Sequence, residues 1–186
     1  MIVLPKQLQE ELLGFVKLRR KTKAPFEDEW QNRPYSYLDI QEWIKQNNNY
    51  GVQGGYGRLV ILDADTPEIV AIAKATLSKT FTVKTRRGFH YYFYCDGINK
   101  KIVLQKDTVV KKDDRFGEII AKGSQVVGPG SIHPDNGMAY EIVEDIEIAT
   151  VSREDLLSVL VEYIPYEFLK KDRDAEVGDI SIVDVL

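Results

Sequence analysis

The chain has 186 residues, 44% hydrophobic and 29% charged, with a formal net charge of -4. That length suits one domain with a true core and at most a short appendage, and no apolar run approaches the roughly 20 residues that a membrane-spanning helix needs. The single cysteine, Cys95, excludes an internal disulfide or a cysteine-built zinc site, and the start Met-Ile-Val-Leu-Pro-Lys-Gln lacks the basic flank and long apolar stretch of a signal peptide, so a cytoplasmic protein without membrane attachment is expected.

Residues 6–16 carry apolar side chains at helical spacing (Leu8, Leu12, Leu13, Val16), and Lys23-Ala-Pro-Phe breaks that pattern. Ser36 with Asp39 forms a capping-box pattern that opens a helix through Ile40, Trp43 and Ile44, ending in Asn47-Asn48-Asn49. Four glycines, Gly51, Gly54, Gly55 and Gly57, lead into the strand Leu59-Val-Ile-Leu-Asp-Ala-Asp65. Thr66 and Pro67 then suit the cap and first position of a helix to about Leu77. Residues 81–83 and 90–94, aromatic and β-branched, are joined by a basic link and read as a hairpin. Further strands are expected at 117–121, 125–127 and 139–143, a helix at 154–164, and a flexible acidic linker at 172–179. Short strands mixed with three or four helices define an α+β domain.

The pattern richest in chemistry is Asp63-Ala-Asp65 at the end of the apolar strand. Alternate strand residues share a face, so both carboxylates point the same way, and two like charges that close call for a cation between them. Oxygen ligands at the rim of a sheet suit Mg²⁺ or Mn²⁺. A second motif, Thr85-Arg-Arg-Gly-Phe-His90, places guanidinium groups, a glycine N–H and an imidazole where they could hold a triphosphate. Glu118 is the polar residue of an apolar strand, and Gly128-Pro-Gly-Ser-Ile-His133 is a tight loop presenting Ser131 and His133. Residues 152–186 hold nine acids and four bases, which leaves the remaining chain near neutral with its bases gathered in three groups. These are Lys17, Arg19, Arg20, Lys21 and Lys23; Lys84, Arg86 and Arg87; and Lys111, Lys112 and Arg115. Three basic clusters around a candidate metal site point to a polyanionic ligand.

In this order the motifs resemble the archaeo-eukaryotic primase superfamily, and within it the bifunctional primase-polymerase (prim-pol) domain found on archaeal plasmids, phages and mobile elements. The resemblance covers about residues 15–145. It rests on Lys23, Pro25 and Trp30; on Tyr50-Gly-Val-Gln-Gly-Gly55, where Tyr50 replaces the usual polar residue and Asn49 lies next to it; on Asp63 and Asp65; on Gly88-Phe-His90; on Glu118; and on the Gly-Pro-Gly-Ser-Ile-His loop. It implies a primase-like α+β catalytic core with mixed or antiparallel sheets, an RRM-like catalytic subdomain and flanking helices. It also implies a template-dependent nucleotidyltransferase, acting as DNA primase, DNA polymerase or both by a two-metal mechanism with Mg²⁺ or Mn²⁺.

Carried over by residue, Asp63, Asp65 and Glu118 would be the catalytic, metal-binding acids. Asp113 or Asp114 competes for the third place, and Glu118 fits better by its distance to the Gly128 loop. Arg86, Arg87, Gly88, His90, Ser131 and His133 would contact the nucleoside triphosphate, and Arg19, Arg20, Lys21 and Lys23 the single-stranded DNA template. The catalytic domain would occupy residues 1–165, with 166–186 an acidic linker or tail. Its end, from Gly178, resembles the opening of the zinc-binding domain of bacterial-type primases, which leaves room for a zinc-binding primase domain or a helicase in the same or a partner chain. Two readings from other classes stand beside this one: a metal-dependent nuclease or phosphohydrolase, and a non-catalytic nucleic-acid-binding replication module.

Overall fold

A computed structural model describes residues 2–106 and 115–166 of the chain. The acidic linker and tail, Lys111 and Lys112, and the competing Asp113 and Asp114 lie outside the described residues. Along the chain run β1 (Gly14–Lys17), α1 (Tyr37–Lys45), β2 (Tyr50–Gln53), β3 (Leu59–Ala64), α2 (Pro67–Thr76), β4 (Thr82–Lys84), β5 (Phe89–Tyr94), β6 (Ile102–Leu104), β7 (Gly117–Ile120), β8 (Gln125–Val127), β9 (Glu141–Glu144), β10 (Ala149–Thr150) and α3 (Arg153–Val159). The strands form a small antiparallel sheet, β1-β2-β8, and a large one in the order β6-β7-β3-β5-β4-β9, with β10 added in parallel against β5. The fold is therefore α+β with mixed sheets, as a primase-like core requires.

Residue alternation explains the layers. On β3, Val60, Leu62 and Ala64 pack with Ile69 and Ala73 of α2 and with Leu156, Leu157 and Leu160 of the α3 segment. Leu59 and Ile61 face the other way, into a core shared with Phe15 and Val16 of β1, Val52 of β2, Val126 of β8, and Ile40 and Ile44 of α1. The large sheet is thus covered on one face by helices and on the other by the small sheet and α1. Because β3 is buried on both faces it reads as an unbroken apolar run until Asp63.

The expected caps are only partly realised. Ser36 Oγ accepts the Asp39 N–H at 3.2 Å and starts α1. Pro67 takes the first position of α2, but the Thr66 hydroxyl makes no capping bond and is buried without a partner among the described residues. The larger correction is at residues 6–16, which form a single 3₁₀ turn, Lys6–Leu8, and then β1 rather than a helix. Leu13 to Val16 are buried in succession while Leu12 is 77% exposed, so the stretch has no helical face. Phe15 instead exchanges two backbone hydrogen bonds with Tyr35, and β1 pairs with β2.

Two glycines let the neighbours of β3 close on its carboxylate end. A Cβ on Gly88 would stand 1.8 Å from the Ala64 carbonyl oxygen, and one on Gly117 would stand 2.3 Å from that of Asp63. Backbone on both sides leaves no flexible atom to yield. Gly88→Ala and Gly117→Ala are each expected to cost about 2–3 kcal/mol in urea denaturation through forced displacement of this strand end; a cost below about 0.5 kcal/mol would show that the close approach is dispensable.

Candidate active site

Register places the site. Asp63 stands opposite His90 on β5 and opposite Glu118 on β7, so the three side chains form one row across three strands, on the face turned toward the small sheet. Directly opposed strand residues have Cβ atoms about 5 Å apart. Two residues back along β3 the same face carries Ile61, opposite Tyr92 and Ile120, so the polar row sits on an apolar floor. Asp65 lies just past the end of β3. The row opens into a cleft of about 360 Å³, bounded by the β4–β5 turn (Thr85, Arg86, Arg87), by β8, by Lys23, and by the loop bearing His133, Asp135 and Tyr140.

Electrostatics single out Asp63. Its carboxyl is about one-fifth exposed, and burial, followed by the charges of Asp65 and Glu118, pushes its pKa up to about 8, with Arg87 and Lys23 opposing. His90 Nε2 lies 3.5 Å from Asp63 Oδ1, and burial and Lys23 push the imidazole down to about 3, so it is neutral. Its Nδ1 is buried without a hydrogen-bond partner among the described residues. Asp65 Oδ2 meets Arg87 Nη2 at 3.2 Å, and Glu118 Oε1 meets both Lys101 and Arg115. Three carboxylates with oxygen donors at the mouth of a rigid sheet fit hard divalent cations, and the raised Asp63 marks where positive charge is short. Among the described residues no three or more histidine, cysteine, aspartate or glutamate side chains form a ready metal-holding group, and Asp65 and Glu118 are engaged by these bases.

The candidate nucleotide contacts divide. Arg86, Arg87, His90 and His133 all line the cleft. The Asp135 N–H donates to His133 Nδ1 at 3.1 Å, which leaves Nε2 as the protonated donor nitrogen, and Arg86 Nη1 meets Asp135 Oδ2 at 3.3 Å. Gly88 and Ser131 are placed differently. The Gly88 N–H already donates to Thr85 Oγ1 at 3.0 Å, so this glycine serves close packing rather than a phosphate cradle. Ser131 is fully buried, and its hydroxyl accepts the Tyr50 N–H at 3.3 Å. Of the four candidate template residues, only Lys23 reaches the cleft, and it has no carboxylate within ion-pair distance among the described residues. Arg19, Arg20 and Lys21 are exposed on the same loop, with the Arg19 guanidinium 5.2 Å from the Phe26 ring.

Tyr140 and Asp135, which sequence reasoning passed over, and Asn49, which it read only as the polar neighbour of Tyr50, organise the site. Tyr140 stacks on His90 at 5.8 Å and lies 5.7 Å from the His133 ring, bridging sheet and loop. Asp135 fixes the His133 tautomer, and its place two residues after a histidine was the available signal. Asn49, fully buried, donates from Nδ2 to the carbonyls of Thr22 (3.1 Å) and Ile132 (2.8 Å) and accepts the Ile132 N–H on Oδ1 (2.9 Å). One amide thereby fastens the Lys23 loop and the His133 loop to the start of β2.

An acidic row ringed by arginine, lysine and imidazole thus stands at the seam of the two sheets of an α+β core. The family model for the bifunctional DNA primase/polymerase, N-terminal domain (Prim-Pol) matches residues 6–154, and the chain belongs to that family. A search of curated proteins finds no match to it.

Asn49→Leu keeps the size but strands three half-buried backbone groups, so it is expected to lower stability by about 2–3 kcal/mol in chemical denaturation. A second expectation concerns pH. Folded Asp63 holds its proton up to about pH 8 while an unfolded aspartate releases it near 4, so the folded state binds the extra proton between those values. The stabilisation is complete below about pH 4 and is lost as pH rises through 8. The opposing loss from His90 falls below about pH 6.5, where the unfolded imidazole takes up a proton. In chelator, thermal stability is therefore expected to fall between about pH 6.5 and 9, and Asp63→Asn is expected to flatten that fall in melting curves.

Proposed function

We propose that the cleft performs template-directed nucleotidyl transfer, extending or initiating a strand as DNA polymerase, DNA primase or both. The observation that carries this reading is the single register row Glu118–Asp63–His90, with Asp65 just beyond it past the end of β3 and cations on either flank. Asp63, Asp65 and Glu118 are the residues that would hold Mg²⁺ or Mn²⁺. Bound there, the cations would neutralise charge developing at the reacting phosphate and lower the pKa of the attacking hydroxyl.

The protein's own groups are suited to the remaining tasks. Arg86 and Arg87, on the β4–β5 turn, offer planar forks that match phosphate oxygens. His133 offers an Nε2–H donor from a loop held by Asn49 and Asp135. Neutral His90 can donate one hydrogen bond and avoids adding a positive charge that would compete with a cation at Asp63. An adjoining cavity of about 220 Å³ shares Thr85, Arg86, His133 and Tyr140 with the cleft and extends it beside the triphosphate groups. Lys23, without an ion-pair partner among the described residues, adds positive charge at the small-sheet wall, where a template strand would pass.

A nuclease would also want clustered acids, but a wall carrying Arg86, Arg87 and His133 is more than a water-activating site needs. The test is incorporation of labelled nucleotide on single-stranded DNA, with and without an annealed primer, in Mn²⁺ or Mg²⁺. Metal-dependent stabilisation of the transition state is worth several kcal/mol, so Asp63→Ala/Asp65→Ala is expected to lower extension by about a thousandfold or more. Degradation of DNA without synthesis by the wild type would overturn the reading.

A further inference from the structure

Positive charge stands on both flanks of the carboxylate row, and the triphosphate uses only one of them. On the β5–β4 side are Arg86 and Arg87. Across β7, at the opposite end of the sheet, Lys101 Nζ lies 3.3 Å and Arg115 Nη1 3.2 Å from the same oxygen, Glu118 Oε1. Lys101 directly precedes β6 and Arg115 stands two residues before β7; because the two strands are antiparallel, the cations reach Glu118 from opposite ends of the strand pair and meet at its carboxylate.

Two positive charges on one carboxylate leave a surplus of one. Each side chain keeps further N–H donors beyond its contact with Glu118, since lysine has three and arginine five. Both are about two-fifths exposed, at 40% and 41%, and neither pairs with another carboxylate among the described residues. A single structural partner for Glu118 would need one cation, not two.

Nucleotidyl transfer brings two phosphate-bearing partners to one phosphorus, with the attacking and leaving oxygens roughly in line. If the triphosphate lies along Arg86, Arg87 and His133, the strand that supplies the 3′-hydroxyl must come from the β6–β7 side. We propose that Lys101 and Arg115 form a phosphodiester-binding site for the primer strand, on the flank of the acids opposite the triphosphate. This inference rests on the nucleotidyl-transfer reading and adds to it the position and the residues of the second substrate.

The test compares two DNA ligands in chelator by fluorescence anisotropy over a salt series: a recessed primer–template duplex and the unprimed template. Exposed ion pairs contribute little to stability, so Lys101→Gln/Arg115→Gln is expected to fold, with circular dichroism and melting as the check. The double variant is expected to bind primer–template about tenfold more weakly, with a salt slope smaller by about two, the loss of two phosphate contacts. Unprimed template binding is expected to stay within about twofold, the nucleotide KM is expected to hold, and Lys101→Arg is expected to restore most of the duplex affinity. Unchanged duplex binding and slope, equal weakening of both DNAs, or a raised nucleotide KM with intact duplex binding would each overturn the site. Failure of the wild type to incorporate nucleotide at all would instead overturn the reading beneath it, which keeps the two failures distinct.

Discussion

Asp63 is a carboxylate built into a strand whose neighbours on both sides contribute side chains to the same row, and the rest of the site follows from that placement. Strand register cannot shift by one residue without turning Leu59 and Ile61 out of one core and Val60 and Leu62 out of the other. The apolar faces of β3 therefore lock the position of the acid. Once locked, it cannot relax away from Glu118 or Asp65, and burial strengthens the repulsion among them. The protein holds a local excess of negative charge because two hydrophobic cores require the strand to lie there.

The surrounding chain answers that excess in layers. Arg87 meets Asp65, Lys101 and Arg115 meet Glu118, and Asp63 is left with a neutral imidazole. These same bases are the groups with which phosphates would interact, so under the proposed reading metal and phosphate binding would be coupled through shared partners: a cation taken up by the acids would free basic side chains for an anion. The small sheet supplies the opposite wall. Asn49, Ser131 and Tyr50 tie its loops together from behind, so that His133 and Lys23 face the acids from a braced support rather than from free loops.

How far this was legible depended on the kind of signal. The strand ending in Asp63 and Asp65, the β4–β5 hairpin, α1 with its Ser36 cap and the strands around Glu118 and Val126 all announce themselves, because local pattern and tertiary placement agree. The resemblance in motif order identified the family, which the match over residues 6–154 bears out. Residues 6–16 misled because β1, enclosed between a partner strand and α1, buries consecutive residues, and their spacing happens to fit a helix. β2 was read as a glycine-rich lead for a similar reason, since all four of its residues are buried, Gln53 among them. Ser131 and Gly88 look like ligand contacts by residue type, but the protein itself engages them: the Ser131 hydroxyl accepts the Tyr50 N–H, and the Gly88 N–H donates to Thr85 Oγ1 where the Ala64 carbonyl leaves no room for a side chain. Asn49 and Lys101 act across distances in sequence that no local pattern records.

We propose that a divalent cation binds beside Asp63, where burial and the neighbouring carboxylates raise the pKa. Calorimetric titration of Mn²⁺ into the protein at pH 7, in two buffers of different ionisation enthalpy, measures both binding and the protons released. The account predicts binding with release of about one proton, because Asp63, with its pKa near 8, must give one up to become a ligand, and loss of that binding in Asp63→Asn. Absence of binding at millimolar Mn²⁺, or binding that persists in Asp63→Asn, would contradict it.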